Sequence, residues 1–232
     1  MIATWPNWLT PMLVTDTPTL PHAVVGQVWL HLGWSVVLAC IGASLVGRWT
    51  PAPAGKLDGR QWGVALVLAL WTWVPGPYSP AYWLGLAFQA PSIASVLLCD
   101  ALLRARFFST RSGMPLVTDT HRATLGFAAV GLLAGWALLL DTFALLPLQL
   151  YAWGFSSVAV VVLLAVALLP WLVVHTSEPV RNLRLWIAPI AVLVFTATRL
   201  PSGNVWDAVL DPWLWLALHV YVGRALWQRL RR

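Results

Sequence analysis

Long apolar runs separated by short polar segments dominate this chain. Several runs reach about 20 residues, the length that a helix needs to cross the roughly 30 Å hydrocarbon core of a bilayer. The pattern predicts an all-α integral membrane protein, a seven-helix bundle in a single domain covering residues 1–232. The predicted helices are about 23–46, 61–75, 81–103, 123–146, 155–174, 184–200 and 212–229.

The second predicted helix is the shortest of the seven. The sequence ValProGlyProTyrSerPro at 74–80 ends it, because each proline removes a backbone donor and fixes its own φ. If 61–75 is re-entrant, the bundle has six helices. Residues 1–22 contain four prolines and lack a basic start, which favours an outer N-terminal segment over a cleaved signal peptide.

The basic residues fall in alternate segments between the predicted helices. Segments 47–60, 104–122 and 175–184, together with the C-terminal segment from Arg224 onward, carry thirteen of the 14 Lys and Arg residues, and Arg199 is the exception. Cytoplasmic loops of membrane proteins are enriched in Lys and Arg. We therefore expect a multi-pass protein of the inner membrane, with its N-terminus outside and its C-terminus in the cytoplasm.

Composition supports the same class of protein. The chain is 59% hydrophobic and 9% charged and contains 17 Trp, whereas soluble domains have about 25% charged residues. The net charge of +6 does not indicate a nucleic-acid partner, because the arginines lie where membrane topology requires them. The expected partners are the lipid bilayer and other membrane protein subunits. Cys40 and Cys99 fit small buried residues better than a disulfide, and no metal-site spacing occurs.

Four polar residues interrupt the apolar runs at a similar predicted depth, roughly 8–13 Å below the outer surface at about 1.5 Å per helical residue. They are His31, Gln89, Asp141 and His219. Arg199 ends the sixth helix on the same side, and Asp207 follows in the next loop. Because polar groups in hydrocarbon are costly, they mark candidate sites. We expect Asp141, Arg199, Gln89 and Asp207 to form an outward-facing polar pocket.

Two features of this predicted pocket have alternative interpretations. Asp141 and Arg199 either form an ion pair, or each reaches water or headgroups at the outer surface separately. His31 and His219 either hold a haem iron, such as that of haem b, between two imidazoles, or make hydrogen bonds to neighbouring helices. Both pairs of alternatives remain open at this stage.

No sequence motif indicates an enzyme. The HExxH, GxSxG and P-loop patterns are absent, and no lysine lies in a predicted helix, which excludes a retinal Schiff base. We favour an accessory or assembly subunit of a larger membrane complex, with no catalytic residues. The alternatives are a haem- or quinone-binding redox subunit that uses His31 and His219, and a small transporter or channel built around Asp141.

Overall fold

The computed structural model describes residues 18–49, 59–107, 118–173 and 183–231. Helices account for 81% of these described residues, and no strand occurs among them. The ten α-helices in the described ranges are α1 (Ala23–Trp49), α2 (Gly59–Trp71), α3 (Pro80–Phe88), α4 (Ile93–Phe107), α5 (Thr118–Thr142), α6 (Leu150–Trp153), α7 (Ser157–Val173), α8 (Leu183–Thr198), α9 (Val205–Val209) and α10 (Pro212–Leu230).

Two of these helices are long and apolar enough to cross a membrane: α1, and α5 over residues Thr124–Thr142. Residues Ser157–Leu169 and Leu185–Thr198 form shorter apolar helices. The all-helical fold class is thus confirmed. The seven-crossing arrangement and its orientation stay predictions.

Each of the seven predicted helices has a counterpart in the structure, but the third is broken. The predicted segment 81–103 is divided into α3 and α4, and α2 ends at Trp71 rather than at residue 75. The short helices α6 and α9 were not expected from the sequence. Both lie in the loops at one end of the bundle, which we call the upper end; Trp49, Gly59 and Leu230 lie at the lower end.

Gln89 and Pro91 cause the break between α3 and α4. Gln89 has a φ of 61°, which ends α3, and Pro91 lacks the N–H that a continuing helix would use. Two α1 tryptophans compensate for the interruption: Trp34 Nε1 donates to the Gln89 carbonyl oxygen and Trp29 Nε1 to that of Pro91, both at 3.0 Å. Unwound backbone is stable inside an apolar bundle only when its polar groups find such partners.

Asp211 links the start of α4 to the start of α10. Its Oδ1 accepts from the Leu214 N–H at 2.7 Å, the normal contact of an N-cap residue. Its Oδ2 accepts from the Ser92 N–H at 2.8 Å, 119 residues away in sequence. One carboxylate therefore satisfies donors at the N-termini of two helices and fixes their upper ends together.

Small residues allow α1 and α2 to approach closely. Ala39, Ala43 and Ala65 form a buried cluster between the two helices. A second core joins α4 to α7 and α8, with Ile93 and Phe195 at its centre. By contrast, α5 packs mainly against α10, and little of its membrane-length segment is buried. The α5–α10 pair therefore forms one wall of the structure, opposite α4, α7 and α8.

Candidate functional site

An apolar cavity of about 410 Å³ separates the α5–α10 pair from helices α4, α7 and α8. Many of its lining residues are small, which leaves room between the helices. The small lining residues are Ala94, Ala128, Gly131, Ala134, Ala167, Ala188 and Ala217. The remaining lining side chains are Leu, Val, Ile or Phe, apart from Thr124, Trp206 and Tyr221. The site can therefore hold an apolar molecule, and it offers few polar contacts.

Helix α9 closes the upper end of this cavity. Trp206 and Val209 of α9 and Leu210, the residue that follows this helix, line the cavity. Asn204 caps α9, because its Oδ1 accepts from the Trp206 N–H at 3.0 Å. The Trp206 indole donates to the Leu150 carbonyl oxygen at 2.8 Å, which holds the ring between α9 and α6.

Gly154 permits the close contact between α6 and α9. A Cβ at this position would lie 2.0 Å from Asn204 Oδ1 and 2.3 Å from Trp206 Cδ1. The Asn204 side chain is fully buried and donates through Nδ2 to the Tyr151 carbonyl oxygen at 2.8 Å. Packing and hydrogen bonds therefore hold α9 against α6, and this position of α9 depends on the absence of a side chain at Gly154.

Tyr151 and Asp207 form a polar cluster above α9. The Tyr151 hydroxyl donates to Asp207 Oδ2 at 2.8 Å, and the Ser202 hydroxyl donates to the same oxygen. Burial raises the pKa of Asp207, while the hydrogen bonds from Ser202 and Tyr151 oppose that effect. Burial also raises the pKa of Tyr151, with a further contribution from the Asp207 charge. This cluster joins the loop before α7 to the loop before α10.

Asp141 and Arg199, for which the sequence leaves an ion pair or separate contacts open, have separate partners in the structure. Asp141 Oδ2 accepts from the backbone N–H of Tyr151 at 2.8 Å, so this acid closes the turn between α5 and α6. The Arg199 guanidinium lies over the Phe195 ring, with Cζ 5.4 Å from the ring centroid. Among the described residues, Arg104 and Asp100 form an ion pair. Local backbone bonding thus satisfies Asp141 without a cation.

The two histidines lie in different surroundings. His31 Nδ1 donates to the Thr72 carbonyl oxygen at 2.6 Å, and its ring stacks on Trp73 with centroids 5.4 Å apart. His31 thereby joins α1 to the end of α2. The neighbouring Ser35 and Thr72 hydroxyls are hydrogen-bonded to each other. The hydrogen-bonded alternative for His31 is compatible with these contacts, and both alternatives stay predictions.

His219 connects α10 to α5. The Trp136 indole can only donate, so its 3.2 Å contact makes His219 Nε2 an acceptor. Nδ1 then carries the proton and donates to the Trp215 carbonyl oxygen at 2.9 Å. Both ring nitrogens are therefore engaged, and a haem iron would have to displace one partner. The bis-histidine haem hypothesis stays a prediction.

The six predicted site residues do not converge on one pocket. Asp141 and Asp207 meet through Tyr151, whereas the Gln89 carbonyl meets Trp34 and the other residues have separate partners. None of the six lines the apolar cavity. In the described ranges, no group of three or more His, Cys, Asp or Glu side chains is placed to hold a metal ion.

Sequence reasoning missed the apolar cavity and the central position of Tyr151. Lining residues such as Ala134 and Leu218 have the same apolar character as residues that face lipid, so the sequence carries no signal for them. Tyr151 and Asp207 are 56 residues apart, and no local pattern relates them. Comparisons of the chain with family models, curated proteins and solved structures find no match.

Proposed function

We propose that this chain is a multi-pass inner-membrane protein that binds a hydrophobic molecule in the cavity beside α5 and α10. It would act as a binding or accessory subunit rather than as a catalyst. The observation that carries the proposal is the apolar cavity of about 410 Å³. This volume falls within the roughly 300–1,000 Å³ of small-molecule sites.

The apolar lining supports a hydrophobic occupant. Water is a poor filling, because an apolar lining gives it few hydrogen-bond partners. A hydrophobic molecule from the bilayer needs no such partners and can pack against the Leu, Val, Ile and Phe side chains of the lining.

The distribution of charge supports the proposed orientation. Arg48, Arg104, Arg224 and Arg229 lie in the lower halves of their helices, whereas Arg199 lies at the upper end. We place the lower end in the cytoplasm on this basis. Green fluorescent protein fused after residue 232 should fluoresce, and alkaline phosphatase fused within 201–204 should be active. The reverse pattern contradicts this orientation.

Cavity filling tests the binding function. Ala134 lines the cavity, and Ala137 lies on the same helix outside it. Native mass spectrometry of the detergent-purified protein should show one retained hydrophobic molecule in the wild type and in Ala137→Trp. Ala134→Trp should lose that molecule, because the indole takes its space. Equal retention in all three proteins would contradict binding in this cavity.

An exposed aromatic surface supports a second function, the packing of a partner subunit. It consists of Trp71, Trp73, Tyr78, Tyr82 and Trp83 around the turn from α2 to α3. Tyr78 is 79% exposed and Trp83 is 60% exposed. The Trp71 indole donates to the Tyr78 carbonyl oxygen and that of Trp83 to the Pro77 carbonyl oxygen, both at 2.8 Å. Aromatic side chains held in place are common at interface centres.

Native gel electrophoresis of mildly solubilised membranes tests the partner hypothesis. Replacing Tyr82 and Trp83 together by alanine should shift the protein to a smaller complex, because both rings would leave the interface. Trp227→Ala is the control, since Trp227 is 58% exposed at the opposite end of the bundle. An unchanged complex in the double variant counts against this surface as a contact site.

A further inference from the structure

We propose that the occupant of the apolar cavity is one acyl chain of an anionic phospholipid, whose headgroup lies beside Arg224 at the lower mouth. This inference rests on the proposed binding function and adds the chemical class of the ligand. It follows from the size of the cavity, from its closed upper end and from the charge on one lining helix.

The size of the cavity fits a single chain. If a methylene group takes about the roughly 30 Å³ of a water molecule, about 410 Å³ holds around 14 methylenes. Along α5 the lining extends from Thr124 to Ala134, about 15 Å at the helical rise. That length is half of the roughly 30 Å hydrocarbon core, the depth of one leaflet. A chain from one leaflet therefore fills the space.

The direction of the chain follows from the two ends of the cavity. Trp206 and Leu210 of α9 close the upper end, and the Trp206 indole is held by its bond to the Leu150 carbonyl oxygen. Two of the polar lining residues lie at the lower side of the cavity: Thr124 is near the lower end of α5, and Tyr221 is the lowest of the α10 residues that line it. The apolar terminus of the chain thus points to α9, and its headgroup faces the lower side.

The charge at the lower mouth selects an anionic headgroup. Leu214, Ala217, Leu218 and Tyr221 line the cavity from one face of α10. Arg224 lies three residues beyond Tyr221, so the helical repeat places it on the same face one turn lower. Arg224 is exposed and forms no ion pair with any described residue. Basic sites between helices on the cytoplasmic side bind anionic lipid headgroups.

The test measures lipid preference by native mass spectrometry of the delipidated full chain. The protein is titrated with phosphatidylglycerol or with phosphatidylcholine of identical acyl chains, and the affinity of the first bound lipid is compared. We expect the wild type to prefer phosphatidylglycerol about fivefold, the effect of one basic side chain near a headgroup. Arg224→Gln should abolish that preference, and Arg224→Lys should retain it. Arg229→Gln, a charge change in the last turn of the same helix, should leave it unchanged.

The outcomes separate the inference from the proposed function. Equal affinity for both lipids in the wild type, with both lost in Ala134→Trp, overturns the anionic headgroup but keeps the cavity as the binding site. A preference for phosphatidylglycerol that persists in Arg224→Gln overturns the assignment of Arg224. Lipid binding that Ala134→Trp leaves intact overturns the inference and the proposed function together.

Discussion

The α1–α2 pair and the α5–α10 pair use the same kinds of residue for different purposes. Each pair has a histidine on one helix that bonds to the other: His31 to the Thr72 carbonyl oxygen, and His219 to the Trp136 indole. Around His31, the Ser35 and Thr72 hydroxyls are buried and bonded to each other. Around His219, Trp136 is 45% exposed. The contact between α1 and α2 is therefore buried beside its histidine, whereas the contact between α5 and α10 is exposed on one side.

The difference follows from the way in which each pair is attached to the remaining helices. Helix α1 also packs against α3 and α4, and its indoles satisfy the broken backbone there. The α5–α10 pair meets α4 directly through Asp211 at its upper end, and the cavity lies below that contact. The α5–α10 pair is thus joined to α4 at this upper contact, and space for a ligand remains between them below it.

Tryptophan has the same role in both regions, because its indole N–H donates to backbone carbonyl oxygens. At least six indoles donate to backbone carbonyl oxygens, and several of those carbonyls lie in turns or breaks. They are Trp29, Trp34, Trp71, Trp83, Trp206 and Trp215. A large apolar ring with one donor can fill space and satisfy an unpaired carbonyl together. The high Trp content therefore reflects backbone satisfaction as well as interfacial position.

The largest effect should come from Asp211→Asn, which removes one of two acceptors that join α10 to α4. The amide NH₂ would then face a backbone N–H at the start of one of the helices. We expect the free energy of unfolding to fall by about 2 kcal/mol, since the variant loses one of the two charge-assisted hydrogen bonds and leaves a backbone N–H facing the amide NH₂. Equilibrium unfolding in mixed micelles with sodium dodecyl sulfate measures the change.

Asp100→Asn is the matched control for this substitution. Asp100 pairs with Arg104 at 2.7 Å, but both side chains are substantially exposed. An exposed pair one helical turn apart contributes about 0.5 kcal/mol or less. If the two variants lose similar stability, Asp211 does not hold the wall to α4 as described.

Smaller losses of stability, which differ between the two regions, should follow from replacing one tryptophan in each region by phenylalanine. Trp34 is buried, and Trp34→Phe leaves the Gln89 carbonyl oxygen without its donor, so we expect a loss of about 1 kcal/mol. Trp136→Phe removes the donor to His219 at a half-exposed position, where the hydrogen bond is long at 3.2 Å and therefore weaker. Here we expect about 0.5 kcal/mol. The same unfolding titration compares both variants with the wild type.

If the two variants lose equal free energy of unfolding, the proposed difference between the α1–α2 and α5–α10 contacts is wrong. Trp213→Phe provides a reference for the loss of ring size alone, because Trp213 is 41% exposed and contacts Phe88 edge to face. Its change should stay within about 0.5 kcal/mol, as is usual for surface substitutions.

The sequence contained most of the information on helices and little on their breaks. Apolar runs of sufficient length located a counterpart of every long helix, because the hydrophobic pattern is continuous along each of them. The break at Gln89 was missed, since Pro91 alone does not reveal whether a helix kinks, ends or restarts. The short helices α6 and α9 depend on contacts between distant loops, such as Asn204 with the Tyr151 carbonyl oxygen.

The candidate site was harder to predict than the fold. Depth along a helix was used to group His31, Gln89, Asp141 and His219, but depth contains no information on the direction in which a side chain points. The turn near Asp207 was visible in the sequence, whereas its bond to Tyr151 was not. The cavity arises from small residues on separate helices, and only their packing reveals the space between them.

The smallest effect should be a dependence of stability on pH that originates at Asp207. Burial raises its pKa in the folded state, so folding favours the protonated carboxyl group. The free energy of unfolding should therefore decrease as the pH rises above the ordinary Asp value of about 3.9 and should level off above the raised value. In Asp207→Asn this decrease should be absent, because the amide keeps its position without titrating. Unfolding titrations at a series of pH values compare the two proteins, and a decrease of equal size in Asp207→Asn would assign the effect to another group.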